Sequence, residues 1–346
     1  MAEVTEWHVV RIQAGAGETE GVYRVTGAGR DGNAASGWSL ILKILQSSSP
    51  QDEVWRWNYQ QREWHFYRSG LLKGQHGLVA PRCLGVMHRK DGRTWLWLED
   101  VADDDGTWPL ARYGLSAYHL GRFSGRFSSG GALPDYPWLS RRWLRGWLEE
   151  AAPAIARLRL LRNDPAVQGV YDDADSILQL WDEREKRLSV LEHCPQTLCH
   201  LDAHRRNMFS RRSAGEEGTV LIDWAFVGVA AVGEDLASLV SATIAMGEVA
   251  LGDMKRLEAT VLDGYLEGLR DAGCSTDPEL VHMAYSMAAS LRFPVGAVRL
   301  VLPMLLDPGQ HRDVEQLHHG TPVEALFDRW GAMNRHLIRL GDVLAD

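Results

Sequence analysis

Residues 198–224, LCHLDAHRRNMFSRRSAGEEGTVLIDW, constrain the fold more than any other stretch of the chain. Asp202 is followed five positions later by Asn207, and Asp223 closes a short apolar run, 220–222, with the composition of a buried strand. A hairpin across this stretch brings three hard oxygen donors together. Such a set suits Mg2+ held against phosphates, with one carboxylate left to receive a hydroxyl proton. Two other readings stay open at this point. Asp202 and Asn207 can be turn-capping residues of an ordinary loop, or Cys199, His200, Asp202 and His204 can form a transition-metal cluster of the metallohydrolase kind. The second reading leaves Asn207 and Asp223 without a role.

At 346 residues the chain is long enough for two lobes with separate cores, and 45% hydrophobic with 24% charged residues is a globular composition. The 46 acidic against 37 basic residues give a net charge of -9, which argues against a nucleic-acid partner bound through its phosphates. The same charge is compatible with a cationic small ligand and with ordinary solubility. Cys83, Cys194, Cys199 and Cys274 show no paired spacing, which fits free thiols in a reducing cytoplasm. No N-terminal apolar segment resembles a signal peptide, and the longest uncharged apolar run, 236–247, is too short to span a bilayer. The chain therefore reads as cytoplasmic, with no membrane partner.

Residues 7–12 have strand alternation and lead into the glycine-rich segment 14–21, before a second apolar run at 22–25. Gly15 and Gly17 let backbone N–H groups approach phosphates without a Cβ in the way; a plain hairpin turn is the alternative. Residues 27–37 read as an exposed, glycine-rich turn. In the apolar strand that follows, 38–45, Lys43 stands alone, and an ammonium facing a core is costly unless it is paired. A lysine on the solvent face of an edge strand is the alternative. Ser49, Pro50 and Asp52 mark a helix start, and the helix is predicted to run to about Arg68 and stop at Gly70. It carries Glu53 and Glu63, either of which can reach back toward Lys43. Strands at 78–86 and 94–98, joined by the turn Lys90-Asp91-Gly92, complete a five-stranded antiparallel sheet, and the acids Asp103, Asp104 and Asp105 read as a solvated loop.

Beyond residue 110 the apolar spacing turns helical. Helices are expected over 110–127, 138–161 with a break near Pro153, 174–192, 236–246, 254–272, 278–301 and 323–344. Trp138, Trp143 and Trp147 make a stripe suited to helix packing or to an aromatic wall for an acceptor. Glu267, Asp271, Asp307 and Asp313 are surface charges or ligands for amines and hydroxyls.

The order of these parts resembles a known family. His200-x-Asp202-x-x-x-x-Asn207 followed by Ile222-Asp223-Trp224 resembles the catalytic and metal-binding loops of the aminoglycoside phosphotransferase and choline kinase-like family, distant relatives of protein kinases. Gln61-Arg62-Glu63-Trp64-His65-Phe66-Tyr67 resembles the family's N-lobe helix, His119-Leu120-Gly121-Arg122-Phe123 the helix that opens its second lobe, and Gly233-Glu234-Asp235-Leu236-Ala237 its Asp-Leu-Ala segment. The resemblance implies an α+β, two-lobed protein kinase-like fold. Residues 1–100 would form an N-terminal nucleotide-binding lobe with a five-stranded antiparallel sheet and a helix. Residues 101–346 would form a mainly helical catalytic and substrate-binding lobe.

The resemblance also implies roles. Gly15 and Gly17 would approach the phosphates, Lys43 would bind the α and β phosphates and pair with Glu63, and the segment from Glu99 to Val101 would be the hinge whose backbone holds adenine. Asp202 would accept or orient the acceptor's hydroxyl proton, and Asn207 and Asp223 would hold Mg2+. His200 would pin the loop, and Asp235 would cap a helix and brace the loops. The implied activity is transfer of the γ-phosphate of ATP, or of GTP, to a hydroxyl of a small molecule: an aminoglycoside- or macrolide-like antibiotic, an amino alcohol or a sugar. The alternative is a nucleotide-binding module of this fold without transfer activity. Trp224-Ala225 stands where a protein kinase has Phe-Gly, and no long activation segment follows, which argues against a protein acceptor. No motif names the acceptor or the oligomeric state.

Overall fold

The computed structural model describes residues 3–16, 19–31, 34–47, 53–103, 106–128, 133–168, 170–171, 173–213 and 215–342. Its chain divides into two compact units that are not contiguous in sequence. The first comprises Met1–Asp105, Tyr136–Ser140 and Asn207–Val227, and the second comprises Gly106–Asp135, Arg141–Arg206 and Gly228–Asp346.

The first unit is built on an antiparallel sheet of five strands. These are β1 (Glu3–Ala16), β2 (Thr19–Asp31), β3 (Ala34–Leu45), β5 (Cys83–His88) and β6 (Thr94–Glu99), in the order β1-β2-β3-β6-β5. The run Leu40-Ile41-Leu42-Lys43-Ile44-Leu45 does not alternate with polar residues, because β3 is buried on both faces. Leu42 and Ile44 pack with Val25 under Tyr23, Trp38, Trp95 and Trp97. Leu45 packs on the other face with Leu96 and Leu98, against Ile41, Trp64 and Tyr67. By strand alternation Lys43 shares this second face, which carries the helix α1 (Arg62–Ser69).

Three local expectations are corrected here. The region 27–37 is not an open turn: β2 runs to Asp31 and β3 starts at Ala34, with Gly27 directly opposite Trp38. A Cβ at Gly27 would lie 2.4 Å from the Trp38 ring, so the glycine is there to admit the indole rather than to turn the chain. The expected strand 78–86 is broken before Cys83. Leu78–Val79, β4, leaves the large sheet and pairs in parallel with Thr219 and Val220, and Pro81, which has no N–H to donate, falls in the break. The helix expected from Ser49 begins at Arg62; its expected start, 49–52, lies outside the described residues, and 53–61 forms turns. The reason is tertiary. The fully buried Arg62 guanidinium donates to the carbonyls of Val54, Arg56 and Trp57, and these turns present them to it. It also donates to Trp138 and Ala225, each at 2.8 Å. Five acceptors satisfy the buried cation and outweigh the helical preference of the segment. The helix ends where glycine allows it, at Gly70 with φ 69°.

The second unit is mainly helical. Its central pair is α2 (Leu110–Ser128) against Met254–Asp271. A two-stranded pairing of Gln196–Cys199 with Gly228–Ala231 sets Cys199 opposite Gly228. Expected helices are shortened or divided: 138–161 becomes Trp143–Glu149 and Ala152–Leu161, and 174–192 is interrupted at Glu183. The stretch Pro278–Leu306 outruns its expected end and contains a π-helical turn, Leu291–Gly296, around Pro294. It is apolar and long enough to cross a membrane, but 56% of its apolar window is buried inside the protein, as in a core helix.

Candidate active site

In the first unit Lys43 is the centre of a charge cluster. It projects from the helix-facing side of β3, and its Nζ lies 2.6 Å from Glu63 Oε2 and 2.7 Å from Asp223 Oδ1. Glu63 sits in the first turn of α1, one residue after the anchored Arg62, so the guanidinium that sets the helix start also aims the glutamate. Burial works against the lysine's charge; Asp223 and Glu63 outweigh it and hold the ammonium protonated. Burial pushes the Glu63 carboxyl up, with the Lys43 charge opposing. One cation therefore serves two carboxylates.

Asp223 arrives by a hairpin. Strands Met208–Ser213 and Glu216–Leu221 pair from Ser213 opposite Glu216 to Met208 opposite Leu221, and the Ile222 N–H donates to the Asn207 carbonyl at 2.9 Å. Asn207 and Asp223 thus stand together at the open end, although sixteen positions apart in the chain. Asp223 has φ 60°, which turns the chain sharply away from the strand. Trp224 follows, buried, with its ring stacked on Phe66 of α1 at 4.0 Å and its indole N–H donating to Leu221. The bulky residue after Asp223 thereby ties this loop to the helix that carries Glu63.

Of the other residues expected at a nucleotide site, Gly15 lies near the end of β1, and Gly17 lies outside the described residues. Glu99 ends β6; its N–H donates to the Arg82 carbonyl and its carboxylate accepts from the Arg211 guanidinium. That amide is spent within the fold; Val101, two residues on, is half-buried and past the end of the strand.

In the second unit the residues around Asp202 form another set. His200 is fully buried, and its Nδ1 accepts the Asp202 N–H at 3.2 Å. Asp235, also fully buried, accepts from the N–H of His200 at 3.0 Å and of Leu201 at 2.6 Å, so it braces the loop and makes no side-chain cap on its own helix. Burial pushes its carboxyl up to about 6 against those two hydrogen bonds. Asp202 Oδ1 accepts from Arg292 at 2.7 Å and more weakly from the Ser238 hydroxyl at 3.4 Å, while His204 Nε2 lies 3.6 Å from Oδ2. Burial alone would raise this carboxyl; His204, Arg292 and His200 outweigh it and hold it well below the usual carboxylate range. Among the described residues no three His, Cys, Asp or Glu side chains gather as a metal-binding group, and Cys199 turns away to the Ala231 carbonyl. The metallohydrolase reading fails on that geometry.

The general model of the phosphotransferase enzyme family (APH) matches residues 16–274, a span that holds every one of these groups except Arg292 and Gly15. The chain belongs to the phosphotransferase enzyme family. No curated protein matches it. Solved structures share the kinase-like fold at low identity. An amicoumacin kinase in complex with AMP-PNP, Ca2+ and Ami is 16% identical with a TM-score of 0.59, covering 97% of this chain and 88% of that one. The GDP complex of a variant of aminoglycoside 2'-phosphotransferase IIIa is 14% identical with a TM-score of 0.54, covering 94% and 92%. A Plasmodium vivax ethanolamine kinase is 13% identical with a TM-score of 0.50, covering 96% and 81%.

In this phosphotransferase the tryptophans of the expected stripe fall in both units. Trp143 and Trp147 stack at 5.2 Å, but Trp138 belongs to the first unit and stacks on His65. Glu267, Asp271, Asp307 and Asp313 are all exposed; Asp271 accepts from Tyr118, and Asp307 caps a turn through the Gly309 N–H. Arg292 and Arg62 are the residues that reading along the chain missed. Arg292 did leave a trace, as a lone cation in the apolar run before Pro294.

Proposed function

We propose that this phosphotransferase moves the γ-phosphate of ATP or GTP to a hydroxyl group of a small molecule. The observation that carries the reading is the buried Lys43 ammonium shared between Glu63 and Asp223 at 2.6 and 2.7 Å. A buried ammonium held charged and in place by carboxylates is suited to contact phosphate oxygens. Asn207 and Asp223 offer the hard oxygen donors that Mg2+ prefers, and they would hold it; when bound, Mg2+ neutralises charge on the transferring phosphates. Asp202 is kept ionised by its neighbours, so it orients the acceptor hydroxyl and takes its proton only as the oxygen–phosphorus bond forms. Gly15, Gly17 and the segment at Val101 complete the nucleotide site. The protein supplies position and charge rather than covalent chemistry. Complexes of similar fold with AMP-PNP and with GDP support a nucleotide donor, and the names amicoumacin kinase, aminoglycoside phosphotransferase and ethanolamine kinase support an alcohol acceptor.

The test is consumption of ATP and of GTP, each with Mg2+, against aminoglycosides, macrolides, choline-like amines and sugars. Turnover is expected with one acceptor class. Asp202→Ala should lower it by about 10²–10⁴-fold with nucleotide affinity retained, whereas Asp223→Ala should weaken Mg-nucleotide binding itself. Wild-type turnover in both variants would sink the assignment. Tight nucleotide binding without turnover for any acceptor would favour the binding-module reading.

A further inference from the structure

Asp202 is preceded by a residue in an unfavourable backbone conformation. Leu201 has φ 68°, a left-handed geometry that a branched side chain avoids, and it is buried. Such a conformation persists only where its surroundings hold it. Its N–H is held by Asp235 Oδ1 at 2.6 Å. Its carbonyl is held by Arg292 Nη1, while Nη2 of the same guanidinium donates to Asp202 Oδ1 at 2.7 Å. Arg292 is itself fixed. It is 8% exposed, its guanidinium lies 4.5 Å from the centre of the Trp143 ring, and it belongs to the π-helical turn Leu291–Gly296. A π-helical turn displaces side chains from the positions a regular helix would give them, and such turns recur at functional sites.

We propose that Arg292 is a positioning residue for phosphoryl transfer. One guanidinium clamps the Leu201 carbonyl and the Asp202 carboxylate, and so fixes the aim of Asp202 at the acceptor hydroxyl. The inference rests on the reading of Asp202 given above. The planar fork of arginine meets two oxygens at once; a lysine at the same place would retain the charge and hold them less well. The clamp acts on orientation, so its loss falls on the chemical step and leaves nucleotide binding alone.

The experiment compares Arg292→Met and Arg292→Lys with the wild type in three measurements: turnover with the most active acceptor of the panel, affinity for Mg-AMP-PNP, and amide hydrogen exchange by NMR. In Arg292→Met, kcat should fall by about 100-fold, with AMP-PNP affinity within about twofold of wild type and the Leu201 amide exchanging at least about tenfold faster. Amides of Met254–Asp271 should be unchanged, and Arg292→Lys should recover part of kcat. Unchanged Leu201 exchange and unchanged kcat in an active protein would overturn the clamp alone. So would equal acceleration at every amide, which marks general destabilisation. A wild-type protein that transfers phosphate to no acceptor would instead remove the functional reading on which the clamp rests.

Discussion

Lys43 and Arg62 are both buried cations, yet only one of them announced itself in the chain. Lys43 interrupts an apolar strand, so its need for a partner follows from the cost of burying a charge. Arg62 sits among polar and aromatic residues with nothing to mark it, and its five carbonyl acceptors come from three separate segments. Glu234 carries a prediction at this scale. It is buried at the wall of a cavity of about 320 Å3 lined also by Arg142, Trp143 and Glu192, and burial, with Asp235 nearby, raises its carboxyl to about 7. The folded protein therefore holds this proton more tightly than the unfolded chain, whose value is near 4.5. The associated stability is full below pH 4.5 and is lost as pH rises to about 7, an effect of about 3 kcal/mol. Glu234→Gln keeps an oxygen for the Ala231 N–H and removes the charge. Thermal unfolding should show the variant more stable than wild type at pH 8, with the difference closing by pH 4.5; a difference independent of pH would refute this account.

Among the elements, the pairing of α2 with Met254–Asp271 decides how the second unit packs. Glycines from both helices let the backbones touch: a Cβ at Gly121 would lie 2.1 Å from the Tyr265 carbonyl oxygen, at Gly264 2.2 Å from that of Gly114, and at Gly268 2.0 Å from that of Tyr118. The obstructing atoms are backbone, so no rotamer change makes room. Gly268→Ala should cost about 3 kcal/mol and lower Tm by several degrees. Gly252→Ala, with nothing within 4 Å of the new Cβ, is the control and should be near neutral. Equal unfolding temperatures for the two variants would mean that the helices can separate freely. The glycines at 121 and 125, and at 264 and 268, recur at four-residue spacings, but a spacing does not say which helix lies opposite. The N-lobe helix shows the converse: its end at Gly70 is local chemistry, and its start is set by carbonyls that Arg62 gathers from elsewhere.

For the molecule as a whole, binding of Mg-nucleotide is expected to be coupled to stability. At about 100 times Kd the nucleotide should add about 2.7 kcal/mol, raising Tm by several degrees; EDTA should abolish the shift, and Asp223→Ala should largely lack it. A shift that survives EDTA would remove Asn207 and Asp223 from metal binding. The chain by itself determined the α+β order of elements, the five-stranded sheet, the hairpin that joins Asn207 to Asp223, and membership of the family, because each rests on residues close in sequence or on the order of motifs. The Lys43–Glu63 pair was expected from the order of motifs, but only the tertiary structure decided the other charge contacts. Asp223 reaches Lys43 across 180 residues and Arg292 reaches Asp202 across 90, and no periodicity records such a contact. A buried charge declares in the sequence that it must be satisfied; which group satisfies it is chosen by the packing that removes both from water.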